Sequence, residues 1–278
     1  MTKFAVLGAP IGHSLSPIIH QTWFLEHGIA ATYERIEVMA EGLEAMIARL
    51  MDEGYGGCNL TMPLKEVMIP YLDQMTQDVR DLQAVNTLKF NGGEIYGFNT
   101  DIRGFADDLI EKAERRSFSH AVILGAGGAA RAVLNALKLY CTVDETTIIA
   151  RNLLKAHRLA NEFEAKIDKW EHMNAAFAGA DLVVNATPLG MKGMPPLVCD
   201  VAVLPERAFV YDLVYNPSPT ALVKECYKRH LLASDGLGML LKQAALSFEI
   251  WTGQKPHVTP ALVKKLREAL ALNEGKAG

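Results

Sequence analysis

Ala121-Val122-Ile123-Leu124-Gly125-Ala126-Gly127-Gly128-Ala129-Ala130 reads as a short buried strand, a glycine turn and the opening of a helix. The spacing G-x-G-x-x-A has a physical logic. One glycine permits the tight turn, the next lets backbone approach a pyrophosphate, and a small final residue lets helix and strand pack closely. The helix amino terminus then offers free N–H groups and the positive end of its dipole to phosphate. A Gly/Ala-rich packing turn carries the same letters, so the flanking strand and helix decide for a dinucleotide-binding turn.

Working outward, the pattern predicts a helix over 131–139, a strand over 146–150 and a helix over 153–163. Strands over 181–184 and 208–213 and a helix over 219–229 follow. Strands alternating with helices imply parallel βαβ units wound into one sheet. Upstream, strands are expected over 4–7, 32–38 and 57–61, and helices over 42–53, from Ser16-Pro17, from Pro63 and over 101–115. Asn91-Gly92-Gly93 between two apolar runs signals a hairpin. From Leu237 the tail is helical only, broken near 253–260, and is expected to pack back on the amino-terminal part. The fold class is therefore α/β with two domains. One is an N-terminal α/β domain of residues 1–103 and 237–278, and the other a Rossmann-type doubly wound domain of residues 104–236.

The 278 residues carry 28 Lys+Arg against 32 Asp+Glu, a formal charge of -4. That balance argues against a nucleic-acid or anionic-membrane binder, which would carry a basic excess. Half the chain is apolar and 22% is charged, which excludes a disordered polymer. Four widely spaced cysteines, with no C-x-x-C, suggest a reduced cytoplasmic protein. No signal-peptide core opens the sequence, no apolar run is long enough to span a bilayer, and the eight histidines lack metal-ligand spacing. No metal is expected.

After the second strand of the glycine-turn domain comes Ala150-Arg151-Asn152. An NAD site places a carboxylate there for the ribose 2′-hydroxyl, whereas a 2′-phosphate calls for a cation. Arg151 can fork onto a phosphate, so NADP is favoured; a surface arginine is the competing reading.

In the first hundred residues, polar side chains stand at strand ends. Ser16 is a candidate N-cap, whereas Ser14 lacks an evident structural task, and two hydroxyls at that spacing can both donate to a carboxylate. Lys65 falls in the expected first turn of a helix, where the macrodipole disfavours a cation. It is either functional or swung into solvent. Thr100 or Asp101 can cap the next helix, and Asn86 is a polar residue in an apolar strand, in want of partners.

Several blocks together resemble the shikimate dehydrogenase family. They are Gly8-x-Pro10-Ile11-x-His13-Ser14-x-Ser16-Pro17, Asn59-x-Thr61-x-Pro63-x-Lys65 and Ala84-Val85-Asn86-Thr87. Asn99-Thr100-Asp101, the glycine turn, Asn185-Ala186-Thr187 and Asp235-Gly236-Leu237-Gly238-Met239-Leu240 complete the set, in the family's order over nearly the whole chain. The resemblance implies reversible reduction of 3-dehydroshikimate to shikimate with NADPH, in a monomer or homodimer. By it, Lys65 and Asp101 are the catalytic pair, and Ser14 and Ser16 bind the substrate carboxylate with Tyr215. Asn59, Thr61, Asn86, Asp101 and Gln243 hold ring hydroxyls. Gly125, Ala126, Gly127, Gly128, Ala129, Arg151, Thr187, Leu213, Gly236 and Met239 meet the cofactor. The chain departs from the family at Ala150 and Asn152 beside Arg151, at Lys155, at Leu213 where methionine is frequent, and in the loop 188–191. Two other readings are an NAD-using quinate or dual-specificity dehydrogenase, and a metabolite-sensing homologue without turnover. Ser16, where the quinate branch often has threonine, favours shikimate.

Overall fold

Along the strand β1 (Thr2–Gly8), alternate side chains enter two different apolar layers. Ala5 and Leu7 join a buried cluster with Leu43, Ile47 and Leu50 of the helix α2 (Leu43–Asp52). Phe4 points the other way, stacking on Phe24 at 5.4 Å and on Trp251 at 4.7 Å. Phe24 lies in α1 (Ser16–Glu26) and Trp251 in α10 (Leu237–Thr252), so the sheet is covered on both faces.

The computed structural model describes residues 1–274 and divides into two units. The first holds Met1–Gly104 and Leu241–Glu268, the second Phe105–Leu240 and the chain from Ala269. In the first unit, β1, β2 (Ala31–Glu37), β3 (Tyr55–Leu60), β4 (Gln74–Met75), β5 (Thr87–Asn91) and β6 (Glu94–Phe98) form one sheet. Its order is β2-β1-β3-β5-β6-β4. The expected hairpin is β5–β6, antiparallel from Thr87↔Phe98 to Asn91↔Glu94. Short helices α3 (Leu64–Val67) and α4 (Gln77–Leu82) connect the strands, and α5 (Asp101–Ala113) leaves the sheet. The carboxyl-terminal segment docks here as expected. The Trp251 indole donates to the Leu88 carbonyl at 2.9 Å, and the Trp23 indole to the His257 carbonyl at 3.0 Å. Trp23 and Phe248 are wholly buried, and truncating either to Ala would cost about 3–5 kcal/mol.

The second unit contains β7 (Ser117–Leu124), α6 (Gly128–Tyr140), β8 (Thr142–Ile149), α7 (Leu153–Phe163) and β9 (Lys166–Asp168). It continues with α8 (Met173–Phe177), β10 (Leu182–Asn185), β11 (Phe209–Asp212), α9 (Ala221–Lys228) and β12 (Leu232–Asp235). The strands run parallel in the order β12-β11-β10-β7-β8-β9, the doubly wound arrangement. Strand order reverses between β7 and β10, and ligands of such sheets bind at the carboxyl ends of strands at that reversal. β9 and β12 were not expected from the sequence. Both are edge strands of three and four residues, partly exposed, and so lack the apolar run that marks a buried strand. The final helix, α11 (Pro260–Glu274), follows the break after α10. No helix among the described residues is long and apolar enough to cross a membrane.

Candidate active site

The Lys65 amine donates to Asp101 Oδ2 at 2.6 Å. The two side chains come from separate elements, and each placement differs in cause from the sequence expectation. α3 is a single turn, too short to project an appreciable dipole, so Lys65 is placed by its ion pair rather than against a macrodipole. At the start of α5, Asn99 is the cap instead of Thr100 or Asp101. Its Oδ1 accepts from the backbone N–H of Asp101 at 3.1 Å and of Ile102 at 3.4 Å. Relieved of capping, the Asp101 carboxylate faces the amine. The Lys65 side chain remains 33% exposed and Asp101 14%, so the pair is open to a small ligand.

Asp101 is held from its other oxygen. Asn86 Nδ2 donates to Asp101 Oδ1 and to Thr100 Oγ1, both at 2.9 Å, while its Oδ1 accepts from the Thr100 N–H at 2.8 Å. Asn86, expected within a strand and found one residue before β5, thus finds its partners within the protein. Asn59 is also buried and internally paired. Its Nδ2 faces the Asn86 carbonyl (3.0 Å), Thr87 Oγ1 (2.9 Å) and Ser247 Oγ (3.0 Å), and its Oδ1 accepts from Tyr33 Oη at 2.7 Å. The Thr61 hydroxyl makes no hydrogen bond among the described residues, whereas Gln243 Oε1 lies 3.4 Å from Thr100 Oγ1.

The two serines exchange the tasks expected of them. The N-cap position is Leu15, and Ser16 is the first helical residue. Ser14 supplies the local turn: its Oγ accepts from the Ser16 N–H at 3.3 Å and donates to Ser16 Oγ at 3.2 Å. Proline at the helix start fixes the backbone there, which moves the helix boundary one residue earlier than the cap pattern suggested. The Ser14 carbonyl is in turn gripped by Arg35 Nε at 2.9 Å.

In the second unit the glycine turn lies at the end of β7. Gly125 has φ +109°, and a Cβ there would press on the Ala186 carbonyl at 3.1 Å, so β7 and β10 approach through a residue without a side chain. α6 begins at Gly128, three residues before its expected start, with Gly127 as N-cap and no side-chain cap. Nothing lies within 4 Å of a Cβ built at Gly127 or Gly128. With Ala129 they are exposed and Ala126 half-buried, leaving uncapped N–H groups facing open space, which suits a pyrophosphate. Beyond β10, the Thr187 hydroxyl donates to Asn185 Oδ1 at 2.7 Å. Gly236 packs so tightly on the Leu213 carbonyl that a Cβ would sit 2.1 Å from it. Met239 is half-buried in the first turn of α10.

Arg151 is exposed at the end of β8, its guanidinium 5.9 Å from the Trp170 ring centre, and it makes no ion pair among the described residues. Asn152 caps α7 by accepting from the Lys155 N–H at 3.0 Å. Tyr215 lies in the loop after β11, and burial pushes its phenol above the ordinary value. Cys58, adjacent to Asn59, is packed in the core with its thiol pushed up by burial, so it is no nucleophile.

The sequence reading missed Asp212. Its buried carboxylate accepts from Thr220 Oγ1 (2.7 Å), Asn185 Nδ2 (2.8 Å) and the Val214 N–H (3.1 Å), tying the loop of Leu213 and Tyr215 to the Asn185–Thr187 turn. Burial raises it to about 6 against these bonds, which pull the other way. Tyr33 and Ser247 were missed as well, and Thr87, though inside the Ala84–Thr87 block, was given no role, because nothing local in their sequence marks them as partners of Asn59.

Three family models match the chain in sequence. Residues 6–88 match the shikimate dehydrogenase substrate binding domain, residues 109–190 the shikimate / quinate 5-dehydrogenase family, and residues 236–261 the shikimate 5'-dehydrogenase C-terminal domain. A relative from Methylocella silvestris, named shikimate dehydrogenase (NADP(+)), is 42% identical over 271 residues, covering 95% of each chain. Among solved structures, shikimate 5-dehydrogenase from Thermus thermophilus in complex with NADP(H) and shikimate superposes with a TM-score of 0.85. It is 34% identical and covers 98% of this chain and 99% of that one. Quinate dehydrogenase from Corynebacterium glutamicum in complex with NAD gives a TM-score of 0.87 at 29% identity, over 98% of this chain and 99% of the other.

Proposed function

The chain belongs to the shikimate dehydrogenase family, and from that premise we infer that it catalyses the NADP-dependent, reversible reduction of 3-dehydroshikimate to shikimate. The cofactor, when bound, supplies the hydride. The observation that carries the assignment of residues is the Lys65–Asp101 contact. As the substrate carbonyl is reduced, negative charge grows on its oxygen. Lys65, a cation with three donors, stabilises that charge and hands over a proton; in the oxidation direction its amine takes the proton back. Asp101 orients the amine and keeps it from swinging into solvent. A general acid so placed contributes about 10²–10⁴ in rate.

Recognition follows from the same groups. Ser14 and Ser16, two hydroxyls on one helix entry, bind the substrate carboxylate, with Tyr215 assisting. Thr61, Asp101 and Gln243 take the ring hydroxyls, while Asn86 and Asn59 hold that arrangement in place. The open glycine turn receives the pyrophosphate, and Arg151 meets the 2′-phosphate as a charge-assisted fork. In this reading the first unit is the substrate domain and the second the dinucleotide domain.

The relatives include a quinate dehydrogenase with NAD, so the test compares four combinations: shikimate or quinate with NADP or NAD. The largest kcat/KM is expected for shikimate with NADP. A larger value for quinate with NAD would transfer the chain to the other branch, and no turnover with any pair would leave a sensing homologue.

A further inference from the structure

The two amides beside Asp101 have a determined orientation. Asp101 only accepts, so the nitrogen of the Asn86 amide must face it, and the Thr100 N–H, which only donates, fixes the amide oxygen on the opposite side. The Asn86 carbonyl, again only an acceptor, fixes Asn59 Nδ2 in its direction. Asn59 Oδ1 is left to Tyr33, whose hydroxyl must therefore be the donor at 2.7 Å. Thr87 Oγ1 accepts from Asn59 at 2.9 Å, and its own proton has Asn86 Oδ1 at 3.0 Å and Ser247 Oγ at 2.8 Å within reach. Ser247 Oγ competes for the same Asn59 N–H at 3.0 Å and lies 3.1 Å from the Gln243 carbonyl. With the Thr87 proton on Asn86, the series Tyr33, Asn59, Thr87, Asn86, Asp101 runs donor to acceptor and ends on the carboxylate that holds Lys65. Donors aligned in this way polarise one another in a buried, low-dielectric setting.

The far end is rigidly placed. Tyr33 is 1% exposed and its ring stacks on His20 at 4.4 Å with 10° between planes. Ser16 adjoins the same phenol and pulls its proton affinity down against the effect of burial, so the chain also borders the serine pair.

We propose that Tyr33 is a positioning residue for the Lys65–Asp101 pair, acting through Asn59, Thr87 and Asn86 to fix the carboxylate and, on its other side, orienting Ser16. The proposal rests on the dehydrogenase reading above. Without the Tyr33 proton, Asn59 Oδ1 is a buried acceptor with no donor, and its amide is oriented only through Nδ2.

The experiment measures shikimate oxidation with NADP by the full-length protein and its Tyr33→Phe, Thr87→Val and Thr87→Ser variants. Tyr33→Phe keeps the stacked ring and is expected to lower kcat about tenfold and raise the shikimate KM, with the NADP KM within twofold of wild type. Thr87→Val, near-isosteric without the hydroxyl, should reproduce the loss of kcat, and Thr87→Ser, which restores the proton, should recover most of it. A ring needed only for packing would lower the melting temperature and leave that split and that rescue absent. Should Tyr33→Phe fail to fold, the Thr87 pair decides. An active wild type whose Tyr33→Phe and Thr87→Val variants keep kcat within twofold overturns the proposal alone. A wild type inert towards shikimate overturns the underlying reading, and the proposal with it.

Discussion

Around Lys65 the first unit presents side chains bonded to side chains, whereas around Gly125–Ala129 the second presents backbone and empty space. Asn86 alone has bonds to Thr100 and Asp101 that leave it one orientation. Gly127 and Gly128 have no heavy atom within 4 Å of where a Cβ would lie. A polyhydroxylated ring must be told apart from close analogues, and fixed donors and acceptors do that because a mismatched ligand leaves a buried group unpaired. A pyrophosphate needs only N–H groups, a dipole and room to approach. Damage to the first region should therefore appear in turnover, and damage to the second in cofactor affinity.

The largest effect that would break this contrast concerns Lys65. Lys65→Met is expected to lower kcat at least about a hundredfold, with the shikimate KM changed less than about threefold, in steady-state assays. A variant that keeps most of its turnover removes the acid–base assignment. Next in size, Arg151→Ala should raise the KM for NADP about thirtyfold and that for NAD less than threefold, since a charge-assisted fork to a phosphate is lost. Equal changes with both cofactors would make Arg151 a surface residue.

The smallest effect sharpens the comparison by leaving both regions intact. His20 is wholly buried with neither ring nitrogen bonded among the described residues, and burial lowers it to about 3 from 6.5. A folded-state value below the unfolded one means that the neutral imidazole's stability is complete above about pH 6.5. It is lost as pH falls towards about 3, at a slope of about 1.4 kcal/mol per pH unit. His20→Phe keeps a ring against Tyr33 and should flatten the fall in melting temperature between pH 6.5 and 4, followed by thermal denaturation. An unchanged slope would show that other groups govern acid unfolding.

These residues also mark where sequence reading ends. The glycine turn was legible because a buried strand, a turn and a helix each leave a local pattern, and the chemistry of the turn is confined to six consecutive residues. Lys65 and Asp101 were legible as polar side chains at strand ends, and the family motifs paired them. Their supports were not. Tyr33 sits in an ordinary strand and Ser247 in the middle of a helix, and they meet Asn59 only because packing joins positions 26 and 188 residues apart. Caps were misassigned by a residue or two at both Ser14/Ser16 and Asn99/Asp101, since adjacent polar residues compete for the same N–H and only the final backbone decides. The edge strands β9 and β12 were invisible for want of an apolar run.

For anyone shaping an inhibitor, the closed circuit of hydrogen bonds around Asn59 and Asn86 is a warning. Those amides look like handholds in the sequence, yet their hydrogens are already pledged. A compound that reached for them would have to dismantle the scaffold it was meant to grip. The unpledged Thr61 hydroxyl and the accessible Lys65 amine are where a new polar contact can be added without such a toll.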